Sequence, residues 1–160
     1  MFSNNSLLVY SALTVLVGIA GLQDFRSGEV SNWITIPMLV SGLGGALFHL
    51  LSSQALGWFP ALVTAILTLA AFKGWMGGAD WKILVGLFGL WPLAGLAALI
   101  TAGAWGGVAI LRSGDRNVRF PGVTAFALGV ALTFCAHLSI MPLVRLEGAL
   151  SLGKLRLFFV

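Results

Sequence analysis

The sequence predicts an all-α fold: a polytopic helical membrane protein with about six transmembrane helices. Three observations carry this. First, the 160 residues are 59% hydrophobic and only 9% charged, with a mean hydropathy of +1.01, whereas charged residues make up about a quarter of an ordinary soluble domain. A soluble chain this short buries too small a share of its surface to hide so much apolar area. Second, the apolar residues fall into runs long enough to cross a bilayer, which takes about 17 to 25 residues. Third, the Lys and Arg residues lie in the short segments between runs or in the C-terminal tail. The net charge of +4 is therefore an orientation signal for a membrane protein, and no nucleic-acid partner is expected. The lipid bilayer is.

The elements follow in order. Leu7–Leu22 is the first span, after the polar Ser3-Asn4-Asn5-Ser6, and Asp24-Phe25-Arg26-Ser27-Gly28-Glu29 reads as a polar turn. Met1–Ser6 has no basic residue and the run after it meets Asp24, so a cleaved secretory signal is not expected. Trp33–Leu51 is the second span, Ser52-Ser53-Gln54 a short turn, and Leu56–Phe72 the third span. Ile83–Leu111 is too long for one crossing at 1.5 Å per residue. Basic residues collect on the cytoplasmic side, so the Arg112–Arg119 loop belongs with Arg26, Lys73 and Lys82. That requires two crossings, both rather short, broken near Trp91-Pro92. Pro121 to about Met141 is the sixth span. Arg145, Lys154 and Arg156 then fall on the outer side, against the usual bias, and Val144–Val160 is read as an interfacial tail. One membrane-embedded domain, 1–160, is expected.

Most polar and aromatic residues take structural readings. Gly103 and Gly107 form a small-xxx-small pair suited to close helix packing. Cys135, the single cysteine, excludes a disulfide framework and reads as a packing residue. Trp58, Trp75, Trp81 and Trp91 read as interface anchors. His49 and His137 lie near span ends without the further ligands a metal site needs, so neither metal nor cofactor is expected.

Two acids stand apart. Glu29, Asp115 and Glu147 lie in loops or the tail, but Asp24 ends the first span and Asp80 opens the fourth. An ionisable residue against the membrane is costly unless it is used or paired. Two complete spans separate these aspartates, so both return to the same face, which the basic loops make cytoplasmic. Like charges in a partly dehydrated place do not both ionise easily, and the pair shares a proton. This is the chemistry of aspartic proteases, in which one carboxylate activates water and the other protonates the scissile carbonyl. The plainer readings are helix-end roles: Asp24 paired with Arg26, and Asp80 as an N-cap or a partner of Lys82.

The surrounding residues carry a resemblance. Asp24 followed eight residues later by Asn32, within Asp24-Phe25-Arg26-Ser27-Gly28-Glu29-Val30-Ser31-Asn32, resembles a segment of type IV prepilin peptidases in which the catalytic Asp precedes Ile-Pro-Asn. Gly77-Gly78-Ala79-Asp80-Trp81-Lys82 resembles their Gly-x-Gly-Asp-x-Lys motif, and Arg119-Phe120-Pro121-Gly122 with the residues up to Gly129 looks like the start of their last helix. Two positions depart: Ser31 stands where the family has Pro, and Ala79 where it has Gly, a residue with backbone angles closed to Ala. The cysteine-rich insert of the methylating bacterial enzymes is missing, so the chain resembles the short peptidase-only branch, associated with tight-adherence pili or archaeal-type filaments, and no methyltransferase domain is expected.

The resemblance implies an integral protein of the cytoplasmic membrane that cleaves the leader of prepilin-like proteins after a Gly, on the cytoplasmic side. The partner it implies is a substrate with a hydrophobic N-terminal helix. Asp24 and Asp80 are the implied catalytic pair, with Gly77, Gly78, Lys82 and Asn32 as substrate-binding or dyad-supporting residues. Two rival readings stand beside it. A small proton-coupled transporter would use the aspartates as a relay, but would place them at different depths. A non-catalytic pilus-assembly scaffold is kept open by Ala79.

Overall fold

The computed structural model describes the backbone of residues 4–52, 57–114 and 121–157, and the side chains of residues 7–52, 57–114 and 121–140. Six helices occupy the described residues: α1 (Asn4–Ser27), α2 (Asn32–Leu51), α3 (Trp58–Phe72), α4 (Gly78–Leu90), α5 (Pro92–Ser113) and α6 (Gly122–Leu157). No strand occurs among them. Four helices are long and apolar enough to cross a bilayer, and α3 is a shorter apolar helix. Their outer faces expose large apolar side chains, Phe72 at 84% and Leu111 at 86% among them. Apolar surface on this scale needs lipid against it. The chain is a polytopic helical membrane protein.

The architecture is built around α4. Its residues from Ile83 to Gly89 are all buried, and it packs on α2, α3, α5 and α6. A helix apolar on every side is one surrounded by protein, which accounts for a length of 13 residues, about 20 Å. The break predicted near Trp91-Pro92 is present, but the two halves are unequal, because α5 runs for 22 residues. Proline cannot donate to the helix it follows and starts a new one instead. The irregular backbone at Trp91 is covered by protein, as irregular backbone at membrane depth must be. The Trp91 side chain is 4% exposed, stacked on Tyr10 at 4.3 Å and met edge-on by Phe134 and His137. It is thus a core residue, not an interface anchor.

Four glycines set the seam between α2 and α4. A Cβ on Gly42 or Gly45 would run into the backbone of Val85, Gly86 or Gly89, and one on Gly89 would run into the Gly42 carbonyl. Backbones this close leave no room for side chains. Gly103 and Gly107 have nothing within 4 Å of an added Cβ and face outward. The close helix contact is therefore at the Gly42-x-x-Gly45 and Gly86-x-x-Gly89 pairs, not at the pair singled out from spacing. Cys135 is likewise exposed, not packed inside.

Two further expectations are revised at the helix ends. The stretch Asp24–Ser27 is helical, so Asp24 sits inside the last turns of α1 and not in a turn. Gly28 ends the helix with φ +69° and its N–H on the Asp24 carbonyl at 2.8 Å, the left-handed glycine stop. At the other end of the chain, helical backbone continues from Gly122 to Leu157. The side chains of the expected interfacial tail, Val144–Val160, lie outside the described residues, as do Arg116 and Arg119 of the basic loop.

Candidate active site

Asp80 is placed by a glycine-shaped helix start. α3 ends in a Schellman arrangement, Gly74 at φ +71° with its N–H on Ala71 and the Trp75 N–H on Ala70. Gly77 then caps α4 in extended geometry, φ −65° and ψ 149°. Asp80 is the third residue of the helix, and its carboxylate reaches back to the Gly77 backbone, the reciprocal half of a capping box. A Cβ on Gly77 would stand 2.9 Å from Asp80 Oδ2, while one on Gly78 would meet nothing within 4 Å. Gly77 is the glycine the carboxylate requires. Ala79 lies inside α4, and no residue other than glycine has positive φ among the described residues. Alanine therefore costs nothing there, and the concern over its backbone angles is removed.

Asp24 reaches the same place from α1. Its Oδ2 accepts the backbone N–H of Thr124 at 3.2 Å, in the first turn of α6. Two residues earlier in that turn, Gly122 lies against Asp80, where an added Cβ would be 2.9 Å from Oδ1. The two carboxylates, 56 positions apart in sequence, thus converge on one turn of a third helix. Asp80 precedes the apolar run that starts at Ile83, and its carboxyl is pushed up from 3.8 to about 6. Burial is the larger cause, the negative charge of Asp24 the second, and the Gly77 backbone hydrogen bond opposes both. Such a pair holds one proton over a range where isolated carboxylates hold none.

Lys82 and Asn32 are brought to each other. Lys82 Nζ donates to Asn32 Oδ1 at 3.0 Å, tying the start of α2 to the second turn of α4, and Thr35 Oγ1 donates to the same oxygen at 3.4 Å. Trp81 makes the matching tie to α3, its indole N–H on Thr68 Oγ1 at 3.1 Å. Ser31 has two uses that proline could not combine. Its hydroxyl caps α2 by accepting the Trp33 N–H, and its own N–H donates to Gln23 Oε1 at 3.1 Å. Gln23 is the residue before Asp24, so this bond fixes the turn that follows the aspartate. Thr124 and Gly122 were not singled out from the sequence as site residues. Their signal was the Pro121-Gly122 start of α6, which has meaning only once both carboxylates are seen to meet it.

A family model described as the type IV leader peptidase family matches residues 11–111. The match takes in both aspartates and nearly all of α5, and stops short of α6. No curated protein and no solved structure matches the chain.

Proposed function

Because this chain belongs to the type IV leader peptidase family, we propose that it is a membrane aspartic endopeptidase that removes the leader of prepilin-like proteins. Cleavage follows a Gly and takes place at the cytoplasmic face of the membrane. The observation that carries this reading is the convergence of Asp24 and Asp80 on the first turn of α6, where burial and the neighbouring Asp24 raise the Asp80 carboxyl above the usual range.

In this mechanism Asp80 enters as the acid and Asp24 as the base. Water loses a proton to Asp24 as its oxygen attacks the Gly carbonyl carbon, and Asp80 gives its proton to the carbonyl oxygen. The tetrahedral intermediate collapses, the C–N bond breaks, and the leaving amine takes the proton held by Asp24. The proton on the gem-diol oxygen returns to Asp80. The products are a leader ending in a carboxylate and a mature chain with a free amino terminus. The apolar helix of the substrate lies in lipid beside the enzyme. Gly77 and Gly122 keep the space beside the Asp80 carboxylate free of side chains. The Lys82–Asn32 bond braces α4 against α2 beside the dyad.

The test is leader cleavage in membranes by wild type, Asp24→Asn and Asp80→Asn, with a full-length prepilin-like protein encoded by the same organism as substrate. Asn keeps the size of Asp but neither takes nor gives the proton. Both variants are expected to insert normally and to lose cleavage. Wild-type cleavage by either one would end the two-aspartate mechanism.

A further inference from the structure

The first turn of α6 does more than close the site. Thr124 is the third residue of α6, and its N–H is one of the four that a helix start leaves without an intrahelical partner. That N–H goes to Asp24 Oδ2 at 3.2 Å, and the Thr124 hydroxyl goes to the Gly21 carbonyl at 2.8 Å. Gly21 is one turn before Asp24 on the same helix, so the two bonds grip α1 at the carboxylate and one turn before it. The approach is close: a Cβ on Gly21 would be 2.8 Å from Ala127 Cβ and 3.3 Å from Thr124 Cα. From the other side, Thr101 Oγ1 of α5 lies 2.8 Å from the Ala125 carbonyl, sharing its one proton between that oxygen and the Ala97 and Ala98 carbonyls of its own helix. The turn is held between α1 and α5, with Gly122 against Asp80.

We propose that Thr124 is the positioning residue for Asp24. Its hydroxyl locks the α6 turn onto α1 so that its own N–H fixes the orientation of the Asp24 carboxylate, and with it the placement of Asp24 relative to Asp80. This rests on the reading of the two aspartates as the dyad. Residue 124 lies beyond the stretch that the family model matches, so the match assigns it nothing.

The test compares full-length wild type, Thr124→Val and Thr124→Ser in proteoliposomes, with the same prepilin-like substrate. Valine keeps the shape and loses the hydroxyl, while serine keeps the hydroxyl. Misplacing a reacting group by a fraction of an ångström to an ångström costs about 10- to 100-fold in rate. The expected result is a fall of that size in kcat for Thr124→Val, with KM within about twofold of wild type, and recovery of most of the rate by Thr124→Ser. If the valine variant does not accumulate, Thr124→Ala, equally without the hydroxyl and favourable in a helix, takes its place with the same expectation. Wild-type kcat without the hydroxyl, a change in KM alone, or a serine variant no better than valine would each overturn the proposal. Loss of cleavage in both Asn variants alongside full activity in Thr124→Val would overturn it while leaving the dyad standing. Cleavage by Asp24→Asn would remove the dyad itself.

Discussion

The α2–α4 and α1–α6 contacts are both close helix pairs, but they are held by different means. Between α2 and α4, Gly42, Gly45, Gly86 and Gly89 let backbone meet backbone, and the contact relies on shape. Between α1 and α6, one glycine, Gly21, allows the approach and the two bonds of Thr124 fix it. The first contact sits along a helix that is buried on every side, and the second ends at the carboxylates. Dispersion between matched surfaces gives rigidity without direction, whereas hydrogen bonds give direction. The scaffold uses the former and the chemistry needs the latter.

The largest effect should come from breaking the shape-based contact. Gly89→Val sets a branched side chain against the Gly42 backbone, and no rotamer relieves a clash with backbone. The expected cost is about 3 kcal/mol or more, read as loss of folded protein in membranes or a strongly lowered Tm. If Gly89→Val folds and melts like wild type, the α2–α4 contact is not close-packed. In the first turn of α6, where Gly122 faces Asp80 of α4, Gly122→Ala separates site from scaffold. Its methyl would stand 2.9 Å from Asp80 Oδ1, so cleavage should fall by about 10-fold or more while insertion and Tm stay near wild type. Full activity in this variant would mean that α6 does not set the position of Asp80.

The proton offers a finer test. With Asp80 raised from 3.8 to about 6, the folded protein keeps a proton that the unfolded chain sheds near 3.8. Between those values the folded state binds more protons, so this group contributes stability at low pH that is lost as pH rises through about 6. Infrared difference spectra should show a protonated-carboxyl band that disappears over that range in wild type and is missing in Asp80→Asn. A band unchanged by Asp80→Asn would place the proton elsewhere. Smallest of all should be Lys82→Met, which removes the bond to Asn32. The bond is near the surface, so a loss of about 1 kcal/mol and cleavage within a few-fold of wild type are expected. Loss of cleavage to the level of the Asp variants would instead make Lys82 part of the reacting group.

Much of this protein is decided by sequence alone. Apolar runs too long and too uncharged for water fix a helical membrane protein, and Pro92 fixes the break between α4 and α5. The two aspartates are legible because a carboxylate bordering such runs is expensive wherever it lies. Counting crossings brings them to one end of the bundle. Composition and spacing do not say which glycines touch. Gly103-x-x-x-Gly107 has the spacing that signals close packing and Gly86-x-x-Gly89 does not, yet the fold buries the second pair and exposes the first. Nor do they say that Lys82 meets Asn32, that Ala79 sits in ordinary helical geometry, or that Trp91 is covered by Tyr10. Thr124 was the least visible of all. A threonine in an apolar helix has no signal of its own, and its N–H matters only because the helix start leaves it unpaired and the fold brings Asp24, 100 positions away, within its reach. Local free energies of transfer and chain stiffness are written residue by residue, but a contact between two helices belongs to neither sequence segment, and the tertiary structure decides it.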